Sequence, residues 1–154
     1  MAYVPKPIKC SPQLLEQDLT GKNYIITGAN SGVGLGTAEQ LLKQGANVFF
    51  ACRNEAKYKF ALSNINSDNL QGKASYIHLD LSDLDSVRKC SSEILRDIDI
   101  IDGLVNNAAL MMPPKKLTKN GFESQFGVNH LGHFLLTELL LEKIITSSPS
   151  RIVN

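Results

Sequence analysis

The chain has 154 residues with 16 basic and 15 acidic side chains, a formal net charge of +1. That length fits one domain with a real core, and the near-neutral balance gives no electrostatic reason to bind nucleic acid or an anionic membrane. Its apolar runs are far too short for a transmembrane segment. The opening residues Met1–Pro7 carry no apolar leader core, and Cys10, Cys52 and Cys90 have neither metal-ligand nor disulfide spacing, so a cytoplasmic, reducing setting is expected.

Residues 1–20 carry Pro5, Pro7 and Pro12 and read as an irregular lead-in, with one short turn around Leu14-Leu15. From residue 21 onward strands and helices alternate. The first strand is Asn23 to Thr27. The first helix runs from Gly32 to Gln44, with Ala38, Leu41 and Leu42 inward, and Gly45 ends it as a C′ glycine. Asn47 to Cys52 is a nearly unbroken apolar strand, as expected where both faces are covered. Asn54 can cap a second helix through Ala61 and Leu62, and Ala74 to Asp80 is the third strand. Ser82 reads as the cap of a third helix, with Asp85 near its positive end. That helix turns Leu84, Val87, Ser91, Ile94 or Leu95, and Ile98 to one side. Gly103 to Asn106 is the fourth strand, Gly121 to Ile145 a long helix, and Arg151 to Asn154 the start of a fifth strand. Such alternation with short links implies α/β architecture: a doubly wound parallel sheet of Rossmann type, three layers α/β/α, over residues 21–154.

The chemistry concentrates at the first strand-to-helix junction, Thr27-Gly28-Ala29-Asn30-Ser31-Gly32-Val33-Gly34. Gly28 can make the turn, Gly32 can admit a diphosphate to the backbone, and Gly34 can let helix and strand pack closely. The helix start then offers unpaired N–H groups and a positive dipole end to an anion. Gly28, Asn30, Ser31, Gly32, Val33 and Gly34 are therefore the expected diphosphate cradle. At the end of the second strand, where an acid would bond a ribose 2′-hydroxyl, the chain has Arg53 instead. It is either a solvated surface arginine or the ligand of a 2′-phosphate, with Asn30 and Ser31 as helpers.

The Thr-Gly-x-x-x-Gly-x-Gly spacing resembles the short-chain dehydrogenase/reductase family. Leu79-Asp80-Leu81, Asn106-Asn107-Ala108-Ala109 and Asn129 within Phe126–Phe134 follow in the family's order. The last stretch is most similar to the branch of retinol dehydrogenases and light-dependent protochlorophyllide reductases. The resemblance covers Leu19 to Asn154 and implies NADP(H), with NAD(H) second, and hydride exchange with a small-molecule carbonyl or alcohol, retinoid- or steroid-like. It implies an adenine role for Asp80 and Leu81, although Asp80 could instead cap the third helix. It places Asn107, Ala108 and Ala109 along the adenine ribose, where the family usually has glycine in place of Ala109. Asn129 would belong to the catalytic set, its backbone carbonyl holding a water, against the plain reading of a solvent-facing or helix-kinking asparagine. The helix around it often forms family homodimers. His130 and His133 lack a third ligand, so no metal is expected.

The family's acid/base tyrosine is followed four residues later by lysine. Here Tyr3, Tyr24, Tyr58 and Tyr76 are followed at that spacing by Pro7, Gly28, Leu62 and Asp80. The sequence stops at the fifth strand, before the position of the family's serine. The expectation is the cofactor-binding amino-terminal part of an oxidoreductase, inactive alone. The alternative is a shortened, non-catalytic form that binds nucleotide or pairs with a partner.

Overall fold

The computed structural model describes residues 10–65 and 70–154; the reading of Pro5 and Pro7 as irregular lies outside them. Five strands, β1 (Asn23–Thr27), β2 (Asn47–Cys52), β3 (Ala74–His78), β4 (Gly103–Val105) and β5 (Arg151–Val153), form one parallel sheet in the order β3-β2-β1-β4-β5. The helices are α1 (Pro12–Leu15), α2 (Gly32–Lys43), α3 (Glu55–Ser63), α4 (Leu84–Asp97), α5 (Ser124–Phe126) and α6 (His133–Thr146).

Alternation along the strands builds two cores. Ile25, Ala51, Ile77 and Leu104 face α4 and α6, packing with Val87, Ile94, Leu136 and Leu140. Ile26, Val48, Phe50 and Cys52 face α2 and α3, packing with Ala38, Leu42 and Tyr58. The valine, leucine, isoleucine and phenylalanine side chains among them stabilise by about 1.5–3 kcal/mol each when fully buried. Helices on both faces make the three layers expected from the strand–helix alternation. In α4 the inward residue is Ile94, fully buried, while Leu95 is exposed.

Several boundaries differ from expectation. β3 ends at His78 and β4 at Val105, although just beyond them Leu79 N still donates to Cys52 O and Asn106 N to Val153 O. Asp83, not Ser82, caps α4, its side chain accepting from Asp85 N. Ser82 is occupied otherwise, donating its N–H (2.9 Å) and hydroxyl (2.6 Å) to Asp80 Oδ1. The long helix does not start at Gly121, which takes φ +84 in a turn. Glu123 begins α5, its carboxylate accepting from Gln125 N and Phe126 N, each at 2.8 Å. Gly127–Gly132 then form a π-helical turn before α6. The short turn expected around Leu14-Leu15 is α1. Gln40 Nε2 donates to Leu15 O, and Gln44 Nε2 to Leu14 O and Gln17 O, tying the segment around α1 to α2.

Candidate functional site

The connection from β1 leads to β2 on one side, whereas β4 lies on the other. The crevice at such a switch point, above the carboxyl ends of the strands, is where open α/β sheets bind ligands. Here it holds a cleft of about 790 Å³.

The β1 end is built tightly. Gly28 takes φ +65, and a Cβ there would lie 2.9 Å from Ala108 Cβ. A Cβ on Gly34 would lie 2.4 Å from Asn107 Nδ2 and 2.8 Å from Gly28 O. Both glycines thus admit the end of β4, not only a ligand. Asn107 Nδ2 donates to Thr27 O at 2.9 Å, and Ala108 N donates to Thr27 Oγ1 at 2.9 Å, locking the two strand ends together. Gly32 is different: φ is +55 and nothing lies within 4 Å of a Cβ built there.

The start of α2 is open. Its N-cap residue, Ser31, makes no side-chain cap bond, and the first turn has no acidic residue. The leading N–H groups and the positive dipole end are therefore left for an anion. Gly28, Asn30, Ser31 and Val33 line the cleft from β1 and α2. Arg53 and Asp80 line it from the ends of β2 and β3, and Leu81 follows Asp80. Arg53 is exposed, with Nη1 3.8 Å from Asp80 Oδ2. Asn107, Ala108 and Ala109 form the β4 side. Gly32 and Gly34 shape the turn without lining the cleft. Ala109 keeps negative φ, so alanine costs nothing there. Among the described non-glycine residues the left-handed conformation falls to Met112 instead, at φ +49, whose N–H donates to Gln125 Oε1.

Asn129 stands apart from this set, beside a second hollow of about 490 Å³ that shares Asn107, Ala108 and Ala109 with the cleft. The π-helical turn rotates it so that its amide grips one residue twice. Oδ1 accepts from Leu110 N and Nδ2 donates to Leu110 O, both at 2.8 Å. Its carbonyl accepts from His133 Nδ1 at 3.1 Å. Asn106 borders the same hollow, donating to Thr137 Oγ1 and Asn154 Oδ1, and its own Oδ1 is buried without a partner.

Sequence reasoning missed two parts. Thr27 is a fully buried hydroxyl at the centre of the junction, and His133, 6% exposed, meets it with Nε2 2.8 Å from Oγ1. Burial pushes the His133 pKa down, against smaller upward pulls from the Asn129 and Val128 carbonyls. The available signal was the spacing of His133, three and seven residues before Leu136 and Leu140 on the buried stripe. His130 also borders the second hollow but lies between Phe126, on which it stacks, and Phe134, to which it is tilted. Among the described residues no group of three or more His, Cys, Asp or Glu could hold a metal. Tyr24, Tyr58 and Tyr76 pack in or against the α2/α3 core, away from the cleft, and burial raises each phenol's pKa.

Residues 22–154 match the short chain dehydrogenase family. Among curated relatives, retinol dehydrogenase 13 of Homo sapiens is 46% identical over 136 residues, 88% of this chain and 41% of that protein. Retinol dehydrogenase 12 of Mus musculus is 46% identical over 88% of this chain and 43% of its own length. The chain thus spans about two-fifths of the length of these relatives. Among solved structures, a protein from Mycobacterium paratuberculosis superposes with TM-score 0.73 at 41% identity, over 83% of this chain and 44% of that one. The Pseudomonas aeruginosa RhlG/NADP active-site complex gives TM-score 0.71 at 26% identity, over 88% and 54%.

Proposed function

The chain belongs to the short chain dehydrogenase family of oxidoreductases, and from that premise we propose that it holds the adenine dinucleotide half of NADP(H). The observation that carries this reading is the uncapped start of α2, beside the open, left-handed Gly32, at the switch point of the sheet. A diphosphate is the anion that such a set of backbone donors suits. Asn30, Ser31 and Val33 would flank it. Arg53 would grip the 2′-phosphate, with its guanidinium free to leave the distant carboxylate of Asp80. Asp80 and Leu81 would meet the adenine, and Asn107, Ala108 and Ala109 its ribose.

The bound cofactor supplies hydride exchange with a carbonyl or alcohol. The residues of this chain bind and orient. The second hollow continues the cleft past Ala109, and there the Asn129 carbonyl would hold a proton-carrying water toward the nicotinamide end. A lipophilic substrate follows from the retinol dehydrogenases among the relatives. No tyrosine of this sequence is followed by lysine four residues on, so turnover by this chain alone is not expected. Three free cysteines suit a reducing, cytoplasmic setting. Among the described residues no helix is long and apolar enough to cross a membrane.

Titration with NADPH and NADH tests the cofactor, with Arg53→Ala alongside. Loss of a charge-assisted phosphate contact should weaken NADPH by about 10- to 100-fold and leave NADH unchanged. Equal affinity for both in the native chain would remove the 2′-phosphate role. A second reading, pairing of two copies around Asn129, draws on the exposed Phe126 and Phe134 that flank His130. Sedimentation of the chain with Phe134→Ser would test it: the variant should shift a dimer toward monomer.

A further inference from the structure

Thr27, His133 and Asn129 form a line of hydrogen bonds across the site, buried between Thr27 and His133 and part-buried between His133 and Asn129. The Asn129 carbonyl can only accept, so His133 Nδ1, 3.1 Å away, must carry the proton. A neutral imidazole then has a bare Nε2, and the neighbour 2.8 Å away is Thr27 Oγ1. The hydroxyl must therefore donate to the ring, forgoing the longer 3.4 Å approach to Val105 O. That orientation turns its lone pairs to the donor that arrives from β4, Ala108 N at 2.9 Å. The direction of every proton in the line follows from one carbonyl.

We propose that His133 is a positioning residue: held as the Nδ1–H tautomer, it couples the Asn129 carbonyl through Thr27 to the nucleotide-binding junction of β1 and β4. The line joins the two hollows, since Ala108 borders both and Asn129 and His133 border the second. His133 touches neither hollow's expected ligand in this role. It sets where the Thr27 hydroxyl points and, through it, the spacing of Gly28 and Ala108, whose side faces the cleft. Its effect on cofactor affinity rests on the NADP(H) reading above; its tautomer does not.

The test uses the chain labelled with nitrogen-15, and long-range proton–nitrogen correlations of its three imidazoles near neutral pH. The His133 signals are those lost in His133→Gln. A proton on Nδ1 alone is expected; an Nε2–H tautomer, or a mixture of the two, overturns the proposal. NADPH affinity is then compared across three variants. Glutamine can place an acceptor where Nε2 stood, asparagine reaches only the Nδ1 position, and phenylalanine keeps the bulk with neither. Gln should stay within about twofold of the native chain, while Asn and Phe weaken binding by about 5- to 10-fold, the loss of one buried hydrogen bond. A Phe variant that binds like the native chain, or a Gln variant as weak as Phe, overturns the coupling. If Phe does not fold, the Gln–Asn contrast decides. If the native chain itself does not bind NADPH, the cofactor reading fails, and the tautomer alone decides the line.

Discussion

Two glycines on the same helix should respond to alanine in opposite directions. At Gly34 an added Cβ would sit 2.4 Å from Asn107 Nδ2 and 2.8 Å from Gly28 O. The amide of Asn107 can swing away, but only by giving up its 2.9 Å bond to Thr27 O, worth about 1 kcal/mol. Gly28 O is backbone in a left-handed turn, and forcing it aside adds overpacking of about 1–3 kcal/mol. Alanine returns about 1 kcal/mol in helix propensity. The balance is destabilisation by about 1–3 kcal/mol, a fall in Tm of roughly 2–12 °C for a chain of this size. At Gly36 nothing lies within 4 Å of the added atom, so alanine should stabilise by about 0.5–1 kcal/mol. Thermal and urea unfolding followed by far-UV circular dichroism would compare both variants with the native chain. If Gly34→Ala melts at or above the native value, or if both variants move together, the close approach of α2 to the end of β4 is not what this glycine serves.

Acid should destabilise the fold through His133. Burial holds its folded pKa below the ordinary 6.5, so the unfolded chain takes up a proton first as pH falls. This contribution is complete above about pH 6.5 and is lost below it, by at most about 1.4 kcal/mol per pH unit, until the folded imidazole also protonates. Urea midpoints measured between about pH 7.5 and 5 should fall, and His133→Gln should flatten the slope; an unchanged slope would place the effect in other groups. The cysteines should divide by exposure. Cys10 is exposed, whereas burial pushes the thiols of Cys52 and Cys90 up to about 11 and about 12. A thiol reagent at neutral pH should label Cys10 quickly and the other two only as the chain unfolds. Rapid labelling of Cys90 in the native state would contradict its burial on the core face of α4.

The strands were legible because their signal is local. Val48 to Cys52 is apolar without interruption, and Ile25 and Ile26 go to opposite faces, which only a covered sheet allows. The glycine junction was legible for a similar reason, since φ values of +65 and +55 leave few other residues at positions 28 and 32. Helix starts were less so. Ser82 and Asp83 are both capable caps, and the choice fell to Asp83 while Asp80, two residues before the serine, takes its hydroxyl.

What sequence alone determined is the alternation of strands and helices, which implies a parallel sheet with two covered faces, and the turn that opens α2, because both the alternation and the turn depend on patterns or backbone angles within a few residues. Tertiary structure decided the rest. The π-helical turn at Gly127–Gly132 lets Asn129 reach Leu110, nineteen residues earlier. The line from Thr27 to His133 joins residues 106 positions apart. A polar side chain's partner at such a distance is set by the packing of whole elements, and no periodicity in the chain records it.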